Sequence, residues 1–181
     1  RNGGYVAEKL IVRRHDDGTR TPLPSSRREN WRPRWTPNGQ RIAFLSGSGV
    51  ADLGVFTQRF DGSEQPVAII PAQGALSELD WDPTGRTLML RHGNLVGTRD
   101  LLRFTPGTDS VPSIVLAEAH DEYGPTISPD GRWFAYLSNE TGRPEVFVRR
   151  VDDPYAGRTQ VSADGASNPV WARSGKELFW R

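Results

Sequence analysis

Residues 35–44 read Trp35-Thr36-Pro37-Asn38-Gly39-Gln40-Arg41-Ile42-Ala43-Phe44, and the phrase returns as WDPTGRTLML from Trp81, ISPDGRWFAY from Ile127 and WARSGKELFW from Trp171. The starting positions are separated by 46, 46 and 44 residues. In each copy a bulky residue closes an extended stretch. In three of them a proline follows two positions later, which fixes φ at the first corner of a turn and holds the residue before it extended. Gly39, Gly85, Gly131 and Gly175 stand two positions beyond that proline or its equivalent, where such turns often need a positive φ that glycine adopts without steric cost. Asn38-Gly39 and Asp130-Gly131 are strong hairpin signals. The runs that follow, RIAFLS, RTLMLRH, RWFAYLSN and KELFW, are apolar on consecutive positions, as interior strands covered on both faces should be.

A second phrase lies between the copies: KLIVRRHDDGTRTPLP from Lys9, GVFTQRFDGSEQPVAI from Gly54, DLLRFTPGTDSVPSIVL from Asp100 and EVFVRRVDDPYAGRTQVS from Glu145. Each is a strand, a turn rich in Asp, Gly and Pro, and a shorter strand, so it is another hairpin. Two hairpins per period make a four-stranded antiparallel unit, and a period of ~40–45 residues is the signature of propeller blades. A β-sandwich also has evenly spaced strands, but it has no reason to reuse the same Pro, Gly and Trp positions in every period. The expected fold class is therefore all-β, a β-propeller of four-stranded antiparallel blades, with about four blades' worth of sequence in residues 1–181. The chain opens on Arg1, in the second half of one blade, and ends at Phe179-Trp180-Arg181, in the first half of another. The expectation is a partial propeller truncated at both ends, its missing blades supplied by the same parent chain. Trp35 is expected to lie between blades. LSELDWD from Leu76 and LAEAHDEYG from Leu116 leave room for no more than a short helical turn before Pro83 and Gly124-Pro125.

Composition narrows the function. Gly and Pro make up about 18% of the chain, against ~12% in average usage, as punctuation between short strands demands. Lys plus Arg at 23 nearly balance Asp plus Glu at 22, so no global field draws the chain to nucleic acid or an anionic bilayer. The absence of cysteine excludes disulfides, thiolate metal sites and thiol nucleophiles. No run approaches the ~18 apolar residues of a membrane helix, so direct membrane insertion is not expected, and no targeting signal is visible.

The repeat cores resemble the TolB-like six-bladed propellers, whose WD40-like repeats carry a W-S-P-D-G-[KR]-x-[IL]-A-[FY] core. ISPDGRWFAY fits from Ser128 to Tyr136 with Ile127 in place of Trp, and WTPNGQRIAF fits nearly as well. WDPTGRTLML departs at Asp82 and Thr84, and WARSGKELFW lacks the proline. That resemblance implies membership of a six-bladed ring. A narrower one spans Ser128 to Trp180, which is similar to the C-terminal propellers of some bacterial receptor-type serine/threonine protein kinases. It implies a periplasmic or extracytoplasmic sensor domain. No glycine-rich nucleotide loop, HRD or DFG motif is present in the chain itself.

Catalytic signals are weak. No G-x-S-x-G nucleophile elbow occurs, and SGSG at 46–49 has the wrong frame and reads as a loop. His15-Asp16-Asp17 and His120-Asp121-Glu122 place neighbours on opposite faces of an extended chain, so they read as solvated turns rather than metal clusters, and His92 stands apart. Asp130 is explained by its turn. Arg27, Arg28, Arg32 and Arg34 lie close to Trp31 and Trp35, an arrangement that could stack nucleic acid, but the charge balance argues against it. Asn139-Glu140-Thr141 fits a glycosylation pattern that has no meaning in a bacterial chain. No catalytic residue, cofactor or metal site is expected. The expectation is a non-catalytic module that binds a protein or peptide through loops at 47–52, 92–100 and 139–144. The alternative is the substrate-gating propeller of a prolyl-oligopeptidase-like peptidase.

Overall fold

A computed structural model describes residues 9–24, 29–49, 52–72, 74–93 and 99–181. Sixteen strands are present among them: β1 (Ile11–Arg13), β2 (Arg20–Pro22), β3 (Glu29–Trp35), β4 (Arg41–Gly47), β5 (Leu53–Arg59), β6 (Val67–Ile70), β7 (Leu76–Trp81) and β8 (Leu88–His92), followed by β9 (Asp100–Phe104), β10 (Ser113–Leu116), β11 (Glu122–Ile127), β12 (Trp133–Ser138), β13 (Glu145–Arg150), β14 (Thr159–Gln160), β15 (Val170–Trp171) and β16 (Leu178–Phe179). No helix occurs among the described residues. LSELDWD forms β7, and residues 117–121 are irregular before β11 begins, because the prolines and the pairing partners on either side hold both stretches extended.

The strands form three four-stranded meanders, β3-β4-β5-β6, β7-β8-β9-β10 and β11-β12-β13-β14, and two hairpins, β1-β2 and β15-β16. Each repeated phrase makes the first turn of its sheet in the same way. The N–H groups of Thr36, Asp82, Ser128 and Ala172 donate to the carbonyls of Arg41, Thr87, Trp133 and Glu177 at 2.8–2.9 Å. The four turn glycines donate back to Thr36, Asp82, Ser128 and Ala172 at 2.8–2.9 Å, with φ between 68° and 72°. Side chains reinforce the turn differently in each copy. Thr36 Oγ1 and Ser128 Oγ accept the N–H of Arg41 and Trp133 at 3.0 Å. In the copy that departs from the pattern, Asp82 Oδ1 takes the N–H of Thr87 at 3.1 Å and the Thr84 hydroxyl donates to Oδ2 at 2.7 Å. Asp82 and Thr84 thus exchange the roles that Asp130 and Ser128 play in the third copy.

The chain divides into two compact units, residues 1–76 and 77–181. In the first, Val12 and Leu23 of the β1-β2 hairpin region pack on Ile42, Phe44 and Phe56 of the β3–β6 sheet. In the second, β7–β10 and β11–β14 pack face to face: Met89, Leu101 and Leu116 meet Phe134, Tyr136 and Phe147. The other face of β11–β14 presents Ala135, Leu137 and Val146 to Trp171 and Leu178 of the last hairpin. β11–β14 is therefore covered on both faces, and its second strand reads as a continuous apolar run for that reason. Each large side chain buried in this way contributes roughly 1.5–3 kcal/mol.

Two aromatic positions of the repeated phrase stay partly exposed. In the KELFW phrase, β16 pairs with β15, and Phe179 is 57% exposed. Trp35 lines the cleft between the β1-β2 hairpin and the β3–β6 sheet, together with Val12, Leu23 and Ile42. It is 51% exposed and rests on Phe60, ring centroids 6.0 Å apart.

Candidate functional site

The second-to-third strand connection of each sheet holds the three loops singled out by sequence, at 47–52, 92–100 and 139–144, so each lies at the equivalent end of its own sheet. Residues 50, 51 and 94–98 fall outside the described residues; the loop at 139–144 is described throughout. Its base is rigid. Glu145, buried at the start of β13, accepts hydrogen bonds from the Ser162 hydroxyl, the Gly165 N–H at 2.8 Å and Arg143 Nε at 2.8 Å. The Ser162 hydroxyl, together with those donors, holds its carboxyl below the usual range. Arg143 also reaches the carbonyl of Ala163, which ties the loop to the segment leading into β15. Asn139 Oδ1 accepts the Asp121 N–H at 3.0 Å and joins the loop to the preceding inter-sheet segment. Beyond these ties, Thr141 and Arg143 face solvent.

In the second unit the first strands of successive sheets are stitched together along their length. Glu78 of β7 accepts the Gly124 N–H of β11 at 2.5 Å and pairs with Arg91 at 3.7 Å. Asp80 accepts the Ile127 N–H at 3.3 Å, and Trp171 Nε1 donates to the Thr126 carbonyl at 3.2 Å. Arg99 lies 3.9 Å from Asp121 and places its guanidinium 5.1 Å from the centre of the Tyr123 ring. Around 139–144, then, lies a polar surface with the exposed cations Arg143 and Arg158, an aromatic ring and paired carboxylates, on strands fixed by packing. That arrangement suits recognition of a polar chain or loop.

A second polar cluster lies deeper. Arg149, almost fully buried, donates through Nε to the Tyr136 hydroxyl, through Nη1 to the Pro154 carbonyl and through Nη2 to Glu118, each at 2.7 Å. Burial pushes the Tyr136 hydroxyl up to about 12. Arg158 links Glu118 at 3.7 Å to Glu140 at 2.9 Å. Each nitrogen of this buried cation is engaged, so the cluster serves to hold residues 118, 140, 154 and 158 in place. Sequence reasoning missed it. Arg149 stands beside Arg150 at the end of its strand with nothing local to mark which of the two is buried, and its partners lie up to 31 residues away.

The remaining sequence candidates separate. His15, Asp16 and Asp17 occupy the exposed β1-β2 turn, and His120 is exposed. Glu122 is not in a solvated turn: it opens β11 with its side chain fully buried, because its N–H bonds the Arg99 carbonyl and draws the residue into the sheet end. Among the described residues no three His, Asp or Glu side chains could hold a metal ion. Asp130 spends its carboxylate inside its turn on the Ser128 hydroxyl at 2.6 Å and the Arg132 N–H at 3.0 Å. Ser46 and Gly47 belong to β4 rather than to a loop. Arg32 and Arg34 are exposed, whereas Arg27 and Arg28 lie outside the described residues.

No protein-family profile matches the chain. Among solved structures, a TolB-type protein from Agrobacterium tumefaciens superposes with a TM-score of 0.82 at 17% identity, over 96% of this chain and 62% of its own. TolB from Acinetobacter baumannii gives 0.78 at 16% identity, over 95% of this chain and 42% of its own. A prolyl endopeptidase gives 0.63 at 14% identity, over 90% of this chain and 26% of its own. The chain thus spans less than two thirds of the length of each protein. At these identities the likeness is one of fold, and with the three four-stranded meanders it identifies the chain as a β-propeller.

Proposed function

We propose that the chain is a non-catalytic recognition module of a larger bacterial protein, one that meets a protein or peptide ligand through the loops at 47–52, 92–100 and 139–144. The observation that supports this reading is the contrast between the two ends of the sheets. At one end the repeated turns saturate their own hydrogen bonds, and at the other the loop at 139–144 stands on a braced base with outward polar groups. Loops carried on a rigid scaffold are where binding residues concentrate. The resemblance of residues 128–180 to kinase-linked propellers makes an extracytoplasmic sensor of a receptor-type serine/threonine kinase the favoured setting. The test is a binding screen of the full chain against extracytoplasmic proteins and peptidoglycan fragments. A ligand whose binding is lost on replacing residues 140–143 by glycine and serine, and kept on altering the turn at 172–175, is the expected result. The absence of any specific binder would overturn the reading.

The likeness to a prolyl endopeptidase favours one alternative, a propeller that gates access to a hydrolase domain. The parent gene separates the two settings. A kinase and a membrane helix upstream accord with the receptor; an elbow serine downstream accords with the peptidase.

A further inference from the structure

Between the β7–β10 and β11–β14 sheets, beside the turn at 151–155, lies a half-open cleft of about 340 Å³. It is remote in the fold from the loops discussed above, being lined by the first turns of both sheets and the last turn of the second. Met89, Val115, Ile127 and Val151 line it with apolar surface. Ile114 and Tyr155 stand at its sides, 65% and 59% exposed, although both are large and apolar enough to be buried if a neighbour covered them.

Three charged residues line the cleft, and two are already engaged. Asp82 accepts the Arg86 N–H at 2.8 Å, the Thr87 N–H at 3.1 Å and the Thr84 hydroxyl at 2.7 Å. Asp152 takes two hydrogen bonds from Arg150, at 2.9 and 2.7 Å. Arg103 makes one long bond, from Nε to Ser113 Oγ at 3.3 Å, and has no carboxylate partner among the described residues. Arg103 pairs across its sheet with Met89, and the residue that pairs likewise with Ala135 in the next sheet is Val148, which packs against the hairpin beyond it. An apolar side chain therefore serves the fold at this register position, and Arg103 supplies a charge that packing does not require.

We propose that this cleft binds an extended peptide segment in which a large apolar side chain adjoins a carboxylate. The apolar side chain lies on Val115 and Val151 between Ile114 and Tyr155, and the carboxylate pairs with Arg103. The volume, at the low end of the roughly 300–1,000 Å³ of ligand sites, holds one or two side chains, and the open side lets a peptide chain run past. Arginine beside apolar surface is the arrangement that favours such an anchor.

The test uses the whole chain as bait for two display libraries of short random peptides that differ only in a fixed central aspartate or asparagine. Enrichment is expected from the aspartate library alone, with leucine, isoleucine or phenylalanine beside the fixed position. In fluorescence anisotropy the selected peptide should bind Arg103→Gln about tenfold or more weakly, as loss of a charged hydrogen bond implies, and Arg103→Lys at an intermediate level. Ile114→Asp should also weaken binding, which keeps the test decisive if Arg103→Gln proves less stable, whereas the exposed Arg173→Gln should not. Equal enrichment from both libraries would overturn the proposal. So would peptides that bind Arg103→Gln and Ile114→Asp unchanged, a result that would point to the loop end and leave the function proposed above standing. Arg103-dependent binding of oleate without peptide enrichment would assign the cleft to lipid and overturn it as well.

Discussion

Glu122 holds its carboxylate out of water entirely: Oε2 accepts the Glu118 N–H at 3.4 Å, and Oε1 has no hydrogen-bond partner among the described residues. Burial pushes its pKa up to about 7 from the ordinary 4.5, and the charges of Glu118 and Asp100 push the same way. Folding therefore favours the protonated form. The associated stability is complete below about pH 4.5 and is lost as pH rises through about 7, a difference on the order of 3 kcal/mol. Glu122→Gln, which stays neutral, should match the parent near pH 4 and exceed it by about 3 kcal/mol at pH 8 in urea denaturation. An unchanged difference across that range would contradict the account. A second residue-scale prediction uses the repeat as its own control. Ser128 closes its turn with two side-chain hydrogen bonds, whereas Ala172 has none to offer. Ser128→Ala should cost about 1 kcal/mol and Ala172→Ser should gain about 0.5 kcal/mol in thermal unfolding. Equal and null effects at the two positions would remove the turn hydroxyl from the explanation.

The elements show which determinants could be read in advance. The repeated turn was legible because proline, hydroxyl or carboxylate, and glycine all lie within six residues and act on one another directly. How much of each strand its neighbours cover was not, since that depends on which strands lie alongside, and a ten-residue phrase says nothing of that. The loop at 139–144 was legible as a loop; the brace beneath it, from Glu145 to Ser162 and Gly165, joins residues 17 and 20 apart and leaves no local pattern. A further element-scale feature also escaped the sequence reading. Arg32, Gly124 and Asn168 have φ of 53°, 61° and 52°, each just before a proline, and β3 and β11 shift register there. The first strand bulges at a fixed point, where glycine and asparagine are tolerated and arginine is strained. Arg32→Gly should therefore raise stability by about 0.5–1 kcal/mol. Gly124→Ala should lower it by more, since the added Cβ would meet Leu137 at 3.3 Å. A destabilising Arg32→Gly would show that the bulge is not a site of strain.

At the scale of the whole molecule, the central claim is that the β7–β10 and β11–β14 sheets of the second unit stack face against face. The apolar centre of that contact carries the packing energy, and the cleft beside it and the loops at one end of the sheets are surfaces left over once the stack has formed. The chain has one methionine, Met89, and it lies in this contact with Phe134, Tyr136 and Phe147 of the neighbouring sheet. A protein labelled with carbon-13 only at the methionine methyl therefore reports on the stack through a single resonance. The predicted result is an upfield-shifted methyl signal with nuclear Overhauser contacts to at least one of those three rings. A methyl at its random-coil shift, or one whose contacts stay within β7–β10, would contradict it.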